Sequence, residues 1–209
     1  MIVDPALVAP ATTAVVTSEL QRGVVGPEAV FPDLARDAAG AVAAAVRVVT
    51  AARGVDVPVV HGVAWRRADG RGSNDNARLF AAAARAPVVL EPGSHAAALL
   101  PEVAAPQDLV VGRLHGLSPM AGTDLDPLLR NLGVRTIVVV GVSVNVAVTN
   151  LVMDAVNAGY QVVLPVDAVA GTPPAYTDLV IANTLRLLAT TCTTAELVAA
   201  WSGCGRERT

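Results

Sequence analysis

Residues 122–171 read GTDLDPLLRNLGVRTIVVVGVSVNVAVTNLVMDAVNAGYQVVLPVDAVAG, and this stretch decides the fold. At its centre, Thr136 to Val142 (TIVVVGV) is a short Val-rich run whose apolarity is continuous rather than alternating. That pattern predicts a strand covered on both faces, as in a parallel sheet. Asp124 to Leu132 before it reads as a helix stopped by Gly133, and Val144 to Ala158 after it as a helix stopped by Gly159. Gln161 to Pro165 then reads as the next strand.

The same alternation continues outward in both directions. Thr13 to Ser18, Val57 to His61 and Asp108 to Gly112 are further Val-rich runs bounded by turn residues or charges, and Thr190 to Thr193 is a weaker one. Asp33 to Arg53, Tyr176 to Ala189 and Thr194 to Trp201 read as helices, with Pro32 and Asp33 suited to a first turn. Strand alternating with helix predicts a doubly wound α/β/α sandwich of three layers around a six-stranded parallel sheet. Between Gly62 and about Arg85 the pattern lapses into a long loop crowded with Arg66, Arg67, Asp69, Gly70, Gly72, Ser73, Asn74 and Asp75. Loops of that length are functional or mobile.

A chain of 209 residues without a linker-like stretch is expected to form a single domain, with an ordered core over about 12–201 and a fraying polar tail from Gly205 to Thr209. Its 53% hydrophobic content supports a large aliphatic core, yet runs such as Ile137 to Val142 fall far short of the roughly 20 residues that span a membrane. MIVDPALVAP lacks the basic and apolar regions of a secretory signal, so cytoplasmic residence is the expectation. A net charge of -3, 3% aromatic residues and no basic run argue against nucleic acid. Cys192 and Cys204 have no zinc-site spacing and read as ordinary thiols. All 15 basic residues are arginine, so no lysine takes part in any chemistry here.

Open α/β sheets bind ligands beyond the carboxyl ends of their strands. The residues there are Glu19 and Gln21 after the first strand, His61 after the second, Arg113, Leu114 and His115 after the third, and Ser143 and Asn145 after the fourth. No G-x-G-x-x-G follows the first strand, no P-loop exists without lysine, and no G-x-S-x-G elbow is present.

The segments VVTSELQRGVVG, VVHG and the 122–171 stretch resemble those of the isochorismatase-like cysteine hydrolases. The ordered series Glu-x-Gln, Gly-Thr-Asp-Leu-Asp, Gly-Val-Ser and Asp-Ala-x-x-x-Gly-Tyr carries the resemblance, which extends from about Thr12 to Trp201. It implies six parallel strands with helices on both faces, and commonly a homodimer or tetramer. It also implies a cysteine nucleophile opening the helix after the fourth strand, an aspartate base after the first strand, and a lysine. In this sequence those positions fall on Ala147, Glu19 and Leu114. Ala147 has no lone pair or removable proton, so the family's covalent thiolate route is closed. Glu19 retains a carboxylate that is one methylene longer. Ser143 falls where the family has a tight, often cis, turn. Nicotinamidase-type members place an Asp and two His after the second strand, whereas GVAWRRADG leaves only His61, so neither metal nor cofactor is expected.

Each residue also has a plainer reading. Glu19 is either a general base or a buried anion compensated by an arginine such as Arg113. Gln21 contacts substrate or holds a loop amide, and His61 is a core or pocket-wall histidine. Arg113 or His115 stands in for the missing lysine, or neither does. Trp65 lines the pocket, covers a core edge or makes an oligomer contact. Arg66, Arg67 and Arg71 close over an anion or are simply solvated. Asp124 and Asp126 start a helix. Ser118, Ser143 and Thr149 are the hydroxyls near the missing nucleophile. Two functions follow. One is hydrolysis of an amide, ureido or vinyl-ether substrate by a water that Glu19 activates, with amides near Val146 and Ala147 as oxyanion donors. The other is an inactive metabolite-binding or scaffold protein, its pocket bounded by Glu19, Arg113, His115, Ser143, Asn145 and Ala147.

Overall fold

The computed structural model describes residues 3–204, so the tail at 205–209 lies outside it. The strands are β1 (Thr13–Ser18), β2 (Val59–Ala64), β3 (Leu109–Arg113), β4 (Thr136–Val142), β5 (Gln161–Pro165), β6 (Val169–Ala170) and β7 (Thr190–Cys192). The helices are α1 (Arg22–Val25), α2 (Pro32–Arg53), α3 (Arg78–Arg85), α4 (Leu125–Asn131), α5 (Ala147–Asn157), α6 (Pro174–Asn183) and α7 (Thr194–Cys204). Six strands lie in the order β3-β2-β1-β4-β5-β7, every pair parallel, and the two-residue β6 pairs with the end of β4. Among the described residues, no helix is long and apolar enough to cross a membrane.

The period-2 geometry of the strands divides the core between the two faces. Val15, Val59, Val138 and Val140 turn toward Ala44, Ala45, Val48 and Val49 of α2 and Leu197 and Trp201 of α7. Val16, Val60, Ile137 and Val139 turn toward Leu125 and Leu129 of α4 and Val148, Leu151 and Val152 of α5. The alanines along α2 let its backbone lie close to the sheet. Trp201, fully buried, donates its indole N–H to Val8 O at 3.0 Å, which satisfies its one polar atom.

Several boundaries differ from the sequence expectations, each for a local reason. β2 runs past His61 to Ala64 because β3 pairs with it over its whole outer length, Val60 to Ala64. The first turn expected for α5 is not helical: Ser143 O accepts from both Val146 N and Val148 N, while Val144 N bonds to Ala170 O. The helix expected over Tyr176 to Ala189 stops at Asn183, and a short 3-10 turn then buries Leu185 in the core. Asp124 sits at the N-cap of α4, and Asp126 in its first turn accepts from Tyr160 Oη at 2.8 Å. Cys192 is buried and unpaired, and burial chiefly pushes its thiol up to about 12, leaving it unreactive.

His61 does not end its strand and does not reach the carboxyl-end cleft described below. It points toward α2, where its ring bridges Thr17 Oγ1 (2.8 Å from Nδ1) and Asp108 (2.9 Å from Nε2). Asp108 is also held by Arg53 and by Ala105 N at 3.1 Å. Burial would raise the Asp108 carboxyl, but the bonds from Arg53 and His61 outweigh it and hold the group below its ordinary range. Burial is the larger influence on His61 and lowers its pKa despite Asp108. The neutral ring therefore donates from Nε2 to Asp108 and accepts from the Thr17 hydroxyl at Nδ1.

Two outcomes follow for stability. A histidine whose folded pKa is depressed takes up a proton on unfolding, so its contribution is complete above the unfolded value of 6.5 and is lost as pH falls below it. The urea midpoint should decline as pH falls from 7 toward 5, and His61→Gln should remove that part of the slope. Gly141 has φ +108°, and a Cβ there would lie 2.2 Å from Ser18 O. Gly141→Ala should cost about 3 kcal/mol or more in urea denaturation.

Candidate functional site

The strand order reverses between β1 and β4: β2 and β3 lie on one side of this pair, and β5 and β7 on the other. At that switch point the carboxyl ends of neighbouring strands lead away in opposite directions and leave a crevice. Glu19 leaves β1 in the left-handed region at φ +54°, held by its own N–H to Gly62 O at 2.8 Å. Ser143 leaves β4 through a cis peptide with Val142, at the place where the resemblance implies such a turn.

The crevice opens into a cleft of about 500 Å³. Glu19, Arg113, Leu114, His115, Ser143, Asn145 and Ala147 all line it, as do Trp65 and Arg66 of the loop after β2. Arg67 and Arg71 are not among the lining residues; Arg67 pairs with Asp69 at the exposed turn. The carboxylate of Glu19 bonds directly to Nη2 of Arg113, and both side chains are largely buried, at 15% and 7% exposure. His115 stands exposed at the rim, its ring over Gly122. Ala147, buried, opens α5, and the amide of the preceding Val146 is already bonded to Ser143 O at 3.0 Å. That bond removes one of the two amides expected as oxyanion donors.

Two of the nominated amides hold backbone. Gln21 is fully buried and is not among the residues lining the cleft. Its Nε2 donates to Ala64 O and Ala97 O, each at 2.9 Å, and its Oε1 accepts from Ala64 N at 2.7 Å. It thereby ties the end of β2 to the segment 94–100, and its role is the loop-holding one of its two sequence readings. Asn145 lines the cleft, yet its amide pairs with Thr172, accepting from N at 2.9 Å and donating to O at 2.7 Å. A Cβ at Gly171 would lie 2.1 Å from Asn145 Oδ1, so the glycine makes this pairing possible.

Sequence reasoning did not single out the apolar wall. Phe31 and Leu34 at the start of α2, Leu79 and Phe80 of α3, and Leu90 line the cleft together with the polar residues. None of α3 is buried, so its apolar side is turned to the cleft rather than to the core. The Ala-rich end of the 62–85 stretch was the available signal for this helix. The Trp65 ring lies over Gly112, whose Cβ would come within 2.2 Å of it. Among the described residues, no three His, Cys, Asp or Glu side chains form a group able to hold a metal ion.

Gln21→Ala strands one N–H and two carbonyls in the interior, and should cost about 3 kcal/mol or more by urea denaturation. The loss should be as large for Gln21→Leu, since the stranded groups are the same.

Comparison with known proteins places this geometry. A family model described as the isochorismatase domain matches residues 13–196. Comparison with curated proteins yields no match. An isochorismatase family protein from Burkholderia thailandensis superposes with a TM-score of 0.76 at 26% identity, covering 92% of this chain and 96% of its own. A cysteine hydrolase from Pseudomonas syringae pv. phaseolicola shares the fold at a TM-score of 0.78 and 23% identity, covering 97% of both chains. N-carbamoylsarcosine amidase from Thermoplasma acidophilum shares it at 0.69 and 22%, covering 88% of this chain and 96% of its own. The strand order, the switch-point cleft and the match over residues 13–196 together establish that the chain belongs to the isochorismatase family.

Proposed function

We propose that this member of the family binds a small molecule in the switch-point cleft without hydrolysing it. The observation that carries the reading is the direct bond between Glu19 and Arg113 in a largely buried setting. A carboxylate acting on water needs a lone pair aimed at that water and the freedom to accept its proton. Glu19 is instead the counter-ion of a buried guanidinium, and protonating it would leave that cation unmatched. At the family's nucleophile position Ala147 offers a methyl group, and at the lysine position Leu114 offers a hydrocarbon. The Val146 amide, a candidate oxyanion donor, is engaged by Ser143 O.

The rival reading, hydrolysis by a water that Glu19 activates, draws on the room beside the Ala147 methyl and on the residual 15% exposure of Glu19. NMR-monitored incubation with amides, ureido acids and vinyl ethers separates the two. The native protein should leave all three classes intact while ligands still raise its melting temperature. Turnover that disappears in Glu19→Gln would instead establish water-mediated hydrolysis.

The proposal includes self-association as a homodimer or tetramer in the cytoplasm. Tyr176 and Leu179 on α6 and Leu187 just beyond it are exposed, Leu187 at 82%. Large apolar side chains this exposed within one short stretch of chain support a protein contact there. Leu179→Glu combined with Leu187→Glu should lower the sedimentation coefficient while leaving the circular dichroism spectrum unchanged.

A further inference from the structure

The stretch that follows β2 is held differently from the rest of the chain. None of residues 64–96 is buried, whereas Val59 to Val63 just before them all are. Yet this stretch supplies much of the apolar lining of the cleft, through Trp65, Leu79, Phe80, Ala83, Val88 and Leu90. It lines the cleft without belonging to the core.

Its two ends are fastened and its middle is not. At one end Trp65 N donates to Arg113 O at 2.8 Å. At the other, Leu90 packs on α1 so closely that a Cβ on Gly23 would lie 2.6 Å from its Cδ2. Arg66 N donates to Leu90 O at 2.9 Å and draws the two ends into one neck. Between them, among the described residues, a single hydrogen bond leaves 67–89 for the rest of the chain: Gly116 N donates to Asn74 Oδ1 at 2.7 Å. The other bonds made there stay inside the segment, as when Asp69 accepts from Arg67 and from Arg71 N.

Two physical effects favour lifting of this segment. α3 has eight residues, and helices that short are marginal in water, so the cleft that receives its apolar side keeps it ordered. Ser73 Oγ in the segment and Arg113 Nη1, both of residues that line the cleft, are buried without a hydrogen-bond partner in the protein. Burying a donor unmet is costly, and solvent relieves that cost when the cleft opens. Few buried apolar groups and few tertiary bonds mark a segment that opens on its own, well below the free energy of global unfolding.

We propose that residues 67–89 form a lid that turns about the neck at Arg66 and Leu90, that the Asn74 bond to Gly116 is its latch, and that its opening governs entry to the cleft. The lid concerns entry alone, so it stands whether the cleft binds its occupant or hydrolyses it.

A thiol in the cleft reads that entry. Ala147→Cys in a Cys204→Ser background places one there, and the native Cys192, buried in the core, reports global unfolding. With 4,4′-dithiodipyridine the introduced thiol should react at least a hundredfold faster than Cys192. Asn74→Ala should speed its reaction about fivefold, the worth of one hydrogen bond, and raise amide hydrogen exchange across 78–85 by the same factor. Asn74→Asp keeps the acceptor oxygen and should leave both rates within about twofold of the native latch. An introduced thiol that reacts no faster than Cys192 overturns the lid, because the cleft then opens only with the whole fold. A reaction rate indifferent to Asn74→Ala overturns the latch and the control of entry, even where exchange across 78–85 rises.

Discussion

At their carboxyl ends β1 and β4 approach so closely that a Cβ on Gly141 would lie 2.2 Å from Ser18 O, and Ser18 Oγ reaches across to donate to Val142 O. On the other side of β1, a Cβ at Gly62 would meet Pro119 at 2.9 Å and Thr17 O at 3.2 Å. The three central strands are thus closed against one another where they end. Nothing wider than a hydrogen atom fits on the two glycines, and the chain must leave this floor upward. Glu19 does so in the left-handed region and Ser143 through a cis peptide, and the residues that follow form the walls of the cleft.

Those walls separate two kinds of polar group. Gln21 and Asn145 spend their amides on backbone, and Glu19 and Arg113 spend most of their charge on each other. What remains for a visitor is a small number of donors set into hydrocarbon. The first kind of group holds the loops of the scaffold in place. Asn145 belongs to both the loop-holding and the cleft-lining residues, since it lines the cleft while its amide holds Thr172, whereas Gln21 holds backbone away from the cleft.

Much of this was legible in the sequence. Continuous Val runs with turn residues at their ends located β1, β4 and β5 at their observed limits, because a strand buried on both faces leaves no ambiguity of period. The switch-point logic nominated Glu19, Gln21, His61, Arg113, Leu114, His115, Ser143 and Asn145, and the family resemblance added Ala147; all but Gln21 and His61 line one cleft. Three features were hidden. His61 sits mid-strand because only pairing with β3 carries β2 on to Ala64, and that pairing is a property of the partner strand. The roles of Gln21 and Asn145 depend on which backbone groups lie opposite them, 43 and 27 residues away along the chain. α3 escaped because a helix with no buried residue bears no core-facing stripe; its apolar side reads as mere Ala-rich loop until a cleft is there to receive it.

The central position of β1 bears on how the protein is made. Every residue from Thr13 to Ser18 is buried between two neighbours. β2 follows it closely, with Thr17 and His61 44 residues apart, whereas Ser18 must wait 124 residues for Val142. At a ribosomal pace of roughly 5–20 residues per second, that interval lasts about 6–25 s. For the last 29 residues of it, from Arg113 to Val142 and about 1.5–6 s at that pace, a nascent β1-β2-β3 sheet presents as its outer rim an apolar strand that the finished protein never exposes, with unpaired N–H and C=O groups along it. A strand wholly buried in the folded chain is for those seconds an adhesive edge, and the arrival of β4 ends its exposure and completes the cleft floor in one step.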